Sequence, residues 1–421
     1  MMRVHGGCLF AVALVFAGCS DESPGVPRPT IGETHRQIVE RSNRLALELY
    51  GDVRKNSGNL VLSPYGVSVS LAMLLPGTDG PTRKELLGLL DISTNEVHEF
   101  HAANGELLRW LSADDNSRAH RLDIAGAIFA QSDHDPLLAF VKLLETHYGA
   151  RPHLVDFVDQ PATARKVIND WAAEKTRDKI REVVAPDEVN PQTRLVLASA
   201  VYFKGDWELP FKASETSAKP FHVSADKNPN VQMMHQNGEF AFAHEDKTRV
   251  LVMPYRGGEL SMALLLPDDN DGLGALEERL NDVLLSGWLT AAAKNVVRLP
   301  VSVPRFTCDD RHDLEATLKR LGVLTAFDPT AADVSRIDGV RPTAANAGDR
   351  LFVDRIRQRA LIEVNEEGTE AAAVTISKTE TSKAPRDAPS FHADHPFVFL
   401  IRENTTGLIL FLGRVVDPST S

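Results

Sequence analysis

The sequence predicts one large α+β domain behind a short targeting segment and an extended tether. Helical apolar periods fill the first part of the chain, and short β-branched or apolar runs bounded by Pro, Gly and Asp take over from Leu195. No Pro/Ser-rich linker interrupts the chain after Thr34, and no repeat period shows, so helices and strands belong to one unit rather than two. At 421 residues the chain can bury a large core, and 43% hydrophobic with 25% charged residues is a globular composition. A net charge of −12, without any basic run interleaved with aromatics, leaves nucleic-acid binding no electrostatic footing.

The first element is a targeting segment. Arg3 makes a short positive end, residues 8–16 are apolar, and Phe16-Ala17-Gly18-Cys19 closes the run with small residues before a Cys. The run is too short to span a bilayer as a mature helix. An ordinary secretory signal with a chance Cys is one reading. The other is a bacterial lipoprotein signal, which FAGC resembles, although Phe16 is less usual there than Leu and a single basic residue precedes the run. That resemblance implies a signal over 1–18, a lipid on Cys19, and, because Ser20 follows it rather than Asp, anchoring to the bacterial outer membrane. The chain would face the periplasm or the cell surface.

Residues 19–34 then read as a flexible tether, kept extended by Pro24, Pro27 and Pro29 at about 3.1 Å per residue. Cys8 leaves with the signal and Cys19 would carry lipid, so Cys308 stands alone and a disulfide framework is excluded. Beside a VSVPRF strand pattern, Cys308 reads as a small buried hydrophobe rather than a nucleophile.

The folded domain is expected over 35–421. Its first helix, near 35–50, carries Ile38, Leu45 and Leu49 on one stripe. A second follows Ser63-Pro64, with Ser63 as N-cap and Pro64 in the first turn. A third is expected over 82–90, where Thr82 and Glu85 have capping-box spacing. Further helical periods lie near 97–111, 136–148, 162–177 and 313–321. Strand patterns lie at 196–204, 250–255, 260–266, 296–306, 360–365, 397–401 and 408–416.

No catalytic set survives inspection. Gly66-Val67-Ser68-Val69-Ser70 lacks the second Gly of a nucleophile elbow. His98-Glu99-Phe100-His101 does not have zinc-protease spacing, and no Gly-rich phosphate loop follows any strand. Neither a metal nor any other cofactor is expected, and the chain does not read as an enzyme.

Residues 366–382, EEGTEAAAVTISKTETS, carry the most information. Every second residue from Thr369 (Ala371, Ala373, Thr375, Ser377, Thr379, Thr381) is small and uncharged, and all the charges from Glu370 onward fall on the other parity. Strand side chains alternate between faces, so one smooth face could lie on a packed core. Gly368 gives the backbone a hinge at its start. EAAAV also suits a helical turn, but four Thr at strand parity and the lack of a helical stripe oppose that.

Several segments together resemble the serpin family of protease inhibitors and span nearly the whole mature chain. They include Asn59-Leu60-Val61-Leu62-Ser63-Pro64, Thr82-Arg83-Lys84-Glu85-Leu86, Ala200-Val201-Tyr202-Phe203-Lys204-Gly205-Asp206-Trp207 and Val231-Gln232-Met233-Met234. Ala332-Asp333-Val334-Ser335, His395-Pro396-Phe397 and Leu410-Phe411-Leu412-Gly413-Arg414-Val415 match in the same order. The hinge of the family is present almost letter for letter as Glu366-Glu367-Gly368-Thr369-Glu370-Ala371-Ala372-Ala373.

The resemblance implies a single domain of three β-sheets with about eight or nine helices and an exposed reactive-centre loop at about 367–391. It implies a suicide-substrate mechanism: a serine protease attacks the loop, and the cleaved strand inserts into the main sheet and strands the acyl-enzyme. Non-inhibitory relatives often disturb the hinge, and its intactness favours inhibition over the alternative of a non-inhibitory envelope binding or structural lipoprotein. Family spacing from Gly368 places the scissile bond at Ser382–Lys383, which suits an elastase-like protease. A loop one residue longer would put Lys383 before the cut and point to a trypsin-like target, and Arg386 is a more distant option. A subtilisin-like or a cysteine protease is a further option.

The resemblance also assigns Glu366, Arg305 and Trp207 to the top of the sheet, with a Glu366–Arg305 ion pair. In the sheet-opening region Ser63 matches, whereas Gly66, Ser199 and Gln358 replace the usual Ser, Asn and His. These departures either alter control of sheet opening or form a compensated polar network. Glu96, Glu99 and Glu106 against Arg109 make a glycosaminoglycan cofactor unexpected. The expected form is a monomer, touching the membrane through its lipid alone.

Overall fold

The computed structural model describes residues 27–113, 118–343, 346, 350–369 and 389–420. Helix α1 (Glu33–Val53) buries Ile38, Leu45 and Leu49 as its stripe requires, and it begins at Glu33 because Gly32 is the N-cap. Of the stretch expected as a tether over 19–34, residues 19–26 lie outside the described residues, Ile31 is packed on the core, and residues 33 and 34 belong to α1. Cys19 and the signal lie outside the described residues.

Helix α2 (Pro64–Leu74) starts where Ser63-Pro64 predicts, with Ser63 Oγ accepting from Gly66 N at 3.3 Å. All of α2 is buried. In α3 (Gly80–Leu89) the expected capping box is not formed. Asp79 caps the helix instead, accepting from Gly80 N at 3.0 Å. This frees Thr82 Oγ1 to accept from Asp333 N at 3.0 Å and Glu85 to accept from Leu324 N and Thr325 N, both at 2.8 Å. The helices α4 (Val97–Leu111), α5 (Leu138–Tyr148), α6 (Pro161–Lys175), α7 (Leu273–Arg279), α8 (Asp282–Ala293), α9 (Glu315–Arg320) and α10 (Ser335–Asp338) complete the set. The short α10 helps bring the number among the described residues to ten.

A six-stranded sheet runs in the order β10 (Phe306–Asp313), β11 (Val353–Val364), β12 (Gly368–Thr369), β4 (Leu195–Asp206), β2 (His120–Gln131), β3 (His153–Val155). A nine-stranded sheet contains β1 (Leu60–Leu62), β15 (Ile409–Val415), β14 (Phe397–Glu403), β8 (Leu260–Pro267), β7 (Thr248–Pro254), β6 (Asn230–Glu245), β9 (Val296–Pro304) and β13 (Phe391–His392), with β5 (Ser217–Pro220) beside β6. The long β6 divides this sheet into two leaves. Its C-terminal end, Ala241 to Glu245, pairs with β7, and the stretch Met233 to Ala241 pairs with β9.

Helix α2 packs on β2 and β4 of the first sheet and β15 of the second, and the main core surrounds it. A second core, with Phe129, Ile168, Trp171, Val196 and Tyr202, lies on the other face of the six-stranded sheet under α6. Both faces of β4 are therefore covered, which explains its continuous apolar run. Cys308 is buried, and burial raises its thiol far above the ordinary value, as expected of a packing residue. No helix among the described residues is long and apolar enough to cross a membrane.

Candidate functional site at the head of the six-stranded sheet

Strands β11 and β4 lie side by side in parallel register from Val353↔Leu195 to Leu361↔Tyr202. Above that level they part, and the two residues of β12 sit between them: Thr369 pairs with Val364 on one side and Gly205 on the other. The turn that brings the chain back is built by Asn365, whose N donates to Gly368 O at 2.8 Å. Its Oδ1 accepts from Glu367 N and Gly368 N at 3.1 and 3.3 Å.

Gly368 has φ +152°, and a Cβ there would lie 2.0 Å from Gly205 O, so only glycine allows this close approach. Thr369 is fully buried, and its Oγ1 lies 3.0 Å from the Tyr255 hydroxyl. The small-residue parity of 369–381 thus begins with a residue that faces the core.

Trp207 holds the turn. Its N donates to Glu367 O at 2.7 Å, its Nε1 donates to Asn365 O at 3.0 Å, and its ring stacks on Tyr255 at 4.5 Å. Phe211 N donates to Glu366 O at 2.7 Å. The Glu366 carboxylate receives Arg305 Nε at 2.8 Å, Arg305 Nη2 and the Thr216 hydroxyl. Burial pushes this carboxyl up, but the Arg305 guanidinium and the Thr216 hydroxyl outweigh it and hold it below the ordinary value of 4.5.

A depressed carboxyl contributes stability that is present above its unfolded value and lost as pH falls through the folded one. The wild-type protein should therefore lose about 1 kcal/mol more than Glu366→Gln on acidification below the ordinary carboxylate range, since Arg305 is half exposed. Urea unfolding over an acidic pH series measures this, and identical acid limbs would contradict it.

Lower in the sheet, Gln358 and Ser199 are register partners across the β11–β4 boundary. The Gln358 amide grips the backbone of Ser63: Oε1 accepts from Ser63 N at 2.9 Å, and Nε2 donates to Ser63 O at 2.8 Å. Nε2 also lies 3.4 Å from Ser199 Oγ, and Ser63 Oγ donates to Leu410 O at 2.7 Å. A Cβ on Gly66 would meet Val201 Cγ2 at 2.7 Å, Ser199 Oγ at 3.0 Å and Gln358 Nε2 at 3.1 Å. The three departures from the family pattern thus fit one another sterically and form a satisfied network. Glu370, Ala371, Ala372, Ala373, Ser382, Lys383 and Arg386 lie outside the described residues.

The sequence profile described as "Serpin (serine protease inhibitor)" matches residues 40–418. This chain belongs to the serpin family. The leukocyte elastase inhibitor of Homo sapiens is 37% identical over 393 residues, covering 91% of this serpin and 100% of the relative. Leukocyte elastase inhibitor A of Rattus norvegicus is 36% identical over the same shares. Uncleaved ovalbumin superposes with a TM-score of 0.78 at 26% identity, over 90% of this chain and 100% of that one. Serpin48 of Tenebrio molitor gives 0.76 at 28% identity, over 92% and 100%. Tyr255 and Thr216, which touch Thr369 and Glu366 here, come from distant strands and turns, and no local spacing in the sequence marks them.

Proposed function

We propose that this serpin is a suicide-substrate inhibitor of serine endopeptidases. It offers its loop as substrate, and its fold, rather than any catalytic group, stops the reaction at the acyl-enzyme. The observation that carries this reading is the buried Thr369 between β11 and β4, above strands still paired with each other. Continuing that antiparallel register would set Thr379 beside Leu195 and Glu380 beside Val353, the residues that begin β4 and β11. The insertable strand would thus be used up two or three residues before Ser382. The fourteen residues from Thr369 to Ser382 would span about 46 Å, enough to carry a protease from the head of the sheet to its foot.

Cleavage at Ser382–Lys383 suits an elastase-like protease, and the name of the human relative, leukocyte elastase inhibitor, supports that class. Lys383 would direct a trypsin-like target if the loop is one residue longer. Titration of an elastase-like and a trypsin-like protease with the protein tests the reading. Loss of protease activity that persists on dilution supports it, and full activity alongside a cleaved loop overturns it.

We propose separately, from the resemblance of Phe16-Ala17-Gly18-Cys19 to a lipoprotein signal, that the protein is lipid-anchored through Cys19 at a bacterial envelope. Cys19→Ala should move the protein from the membrane to the soluble fraction. Unchanged fractionation would count against the lipid.

A further inference from the structure

Arg28 docks on a corner where both sheets meet. Its Nη2 lies 2.7 Å from Glu403 Oε1 at the end of β14, and its guanidinium lies 4.8 Å from the centre of the Trp110 ring at the end of α4. The Glu403 carboxylate is fully buried, and it also accepts from Thr405 N at 2.9 Å and from Thr406 N and Oγ1 at 2.6 Å. A buried carboxylate is costly without a cation, and here the N-terminal segment supplies one. On its other side the corner continues into β2. The Arg118 guanidinium lies 5.4 Å from the Trp110 ring centre, with Nη1 donating to Trp110 O at 2.6 Å, and Arg118 and His120 each approach Glu259 at 3.6 Å.

This corner stands level with the hinge. His120 is the register partner of Gly205, and Gly205 is the register partner of Thr369. Opening the sheet between β11 and β4 must carry β4, β2 and β3 away from β11. Arg28 bridges Trp110, which leads toward β2, to Glu403 of the other sheet.

We propose that residues 28–32 form a strap that restrains the β4–β2–β3 half of the sheet, so that Arg28 slows admission of the loop. This rests on the inhibitory reading above. A restraint specific to the closed sheet stabilises the native form more than the loop-inserted form, because a contact shifts an equilibrium only through its difference between two states.

The test compares full-length wild type and Arg28→Ala, each in the native form and after loop cleavage. Arg28→Ala should melt several degrees lower than wild type when native and within about a degree of it when cleaved. It should also consume fewer inhibitor molecules per protease trapped. Arg28→Gln, which removes the charge but keeps most of the side chain's length and leaves the hydrogen bonds of Glu403 to Thr405 and Thr406 in place, should act in the same direction and serves if Arg28→Ala folds poorly. Equal losses in both forms would mean that the segment is mere packing and would overturn the strap, as would unchanged stoichiometry. If cleavage fails to stabilise the wild type at all, the insertion reading itself falls and the strap with it.

Discussion

Thr369→Arg should convert the protein from a trap into a substrate. Thr369 is fully buried between Val364 and Gly205 with its hydroxyl on Tyr255, so a guanidinium there would have to enter the core or keep the hinge out of the sheet. Burying an unpaired charge costs several kcal/mol, and each 1.4 kcal/mol on a barrier is about tenfold in rate. Insertion should therefore slow by at least about a hundredfold and lose its race with deacylation. The loop would still be cleaved, and active protease would be released. Thr369→Val, which adds no charge and keeps the volume, should still trap. An activity assay after mixing with protease reads the difference, and undiminished trapping by the arginine variant would contradict the inward parity.

Glu277→Ala should destabilise the native form by about 3–5 kcal/mol, because it leaves the buried Arg414 without its counter-ion. Arg414 Nη1 lies 3.1 and 3.2 Å from the two carboxylate oxygens of Glu277, and the Tyr50 hydroxyl donates to the same carboxylate at 2.6 Å. The rest of the Arg414 fork is spent on carbonyls of Arg54, Asn56 and Gly58, tying the loop after α1 to β15. Glu277→Gln keeps an acceptor for Tyr50 and should recover part of the loss. Urea midpoints of the three proteins decide, and a loss under about 1 kcal/mol for the alanine variant would show the pair to be dispensable.

Local signals in the sequence suffice where one segment determines its own structure. The apolar stripe of α1 and the Ser63-Pro64 start of α2 need no distant partner, and of the alternation that begins at Thr369 only Thr369 itself lies within the described residues. Features that depend on distant partners leave no such local mark. Thr82 and Glu85 have capping-box spacing, yet residues 324–333 claim them once Asp79 caps the helix. The β2 strand carries a weak alternation because one of its faces meets α2 and the other α6, so neither is purely polar. The compensated network of Gly66, Ser199 and Gln358 is one of two readings the sequence offers, and its geometry, with Gln358 gripping Ser63 and reaching Ser199 over a position where a Cβ would clash, depends on residues far apart in the chain. Arg28 sits among prolines and reads as tether, because nothing nearby announces a buried carboxylate 375 positions away.

Trapping by an inserted loop is tested most directly by mixing the protein with an elastase-like protease and examining the products by denaturing electrophoresis and mass spectrometry. The expected result is a complex that survives SDS, together with a released C-terminal peptide whose first residue is Lys383. A cleaved chain with free, active protease and no SDS-stable complex would contradict it.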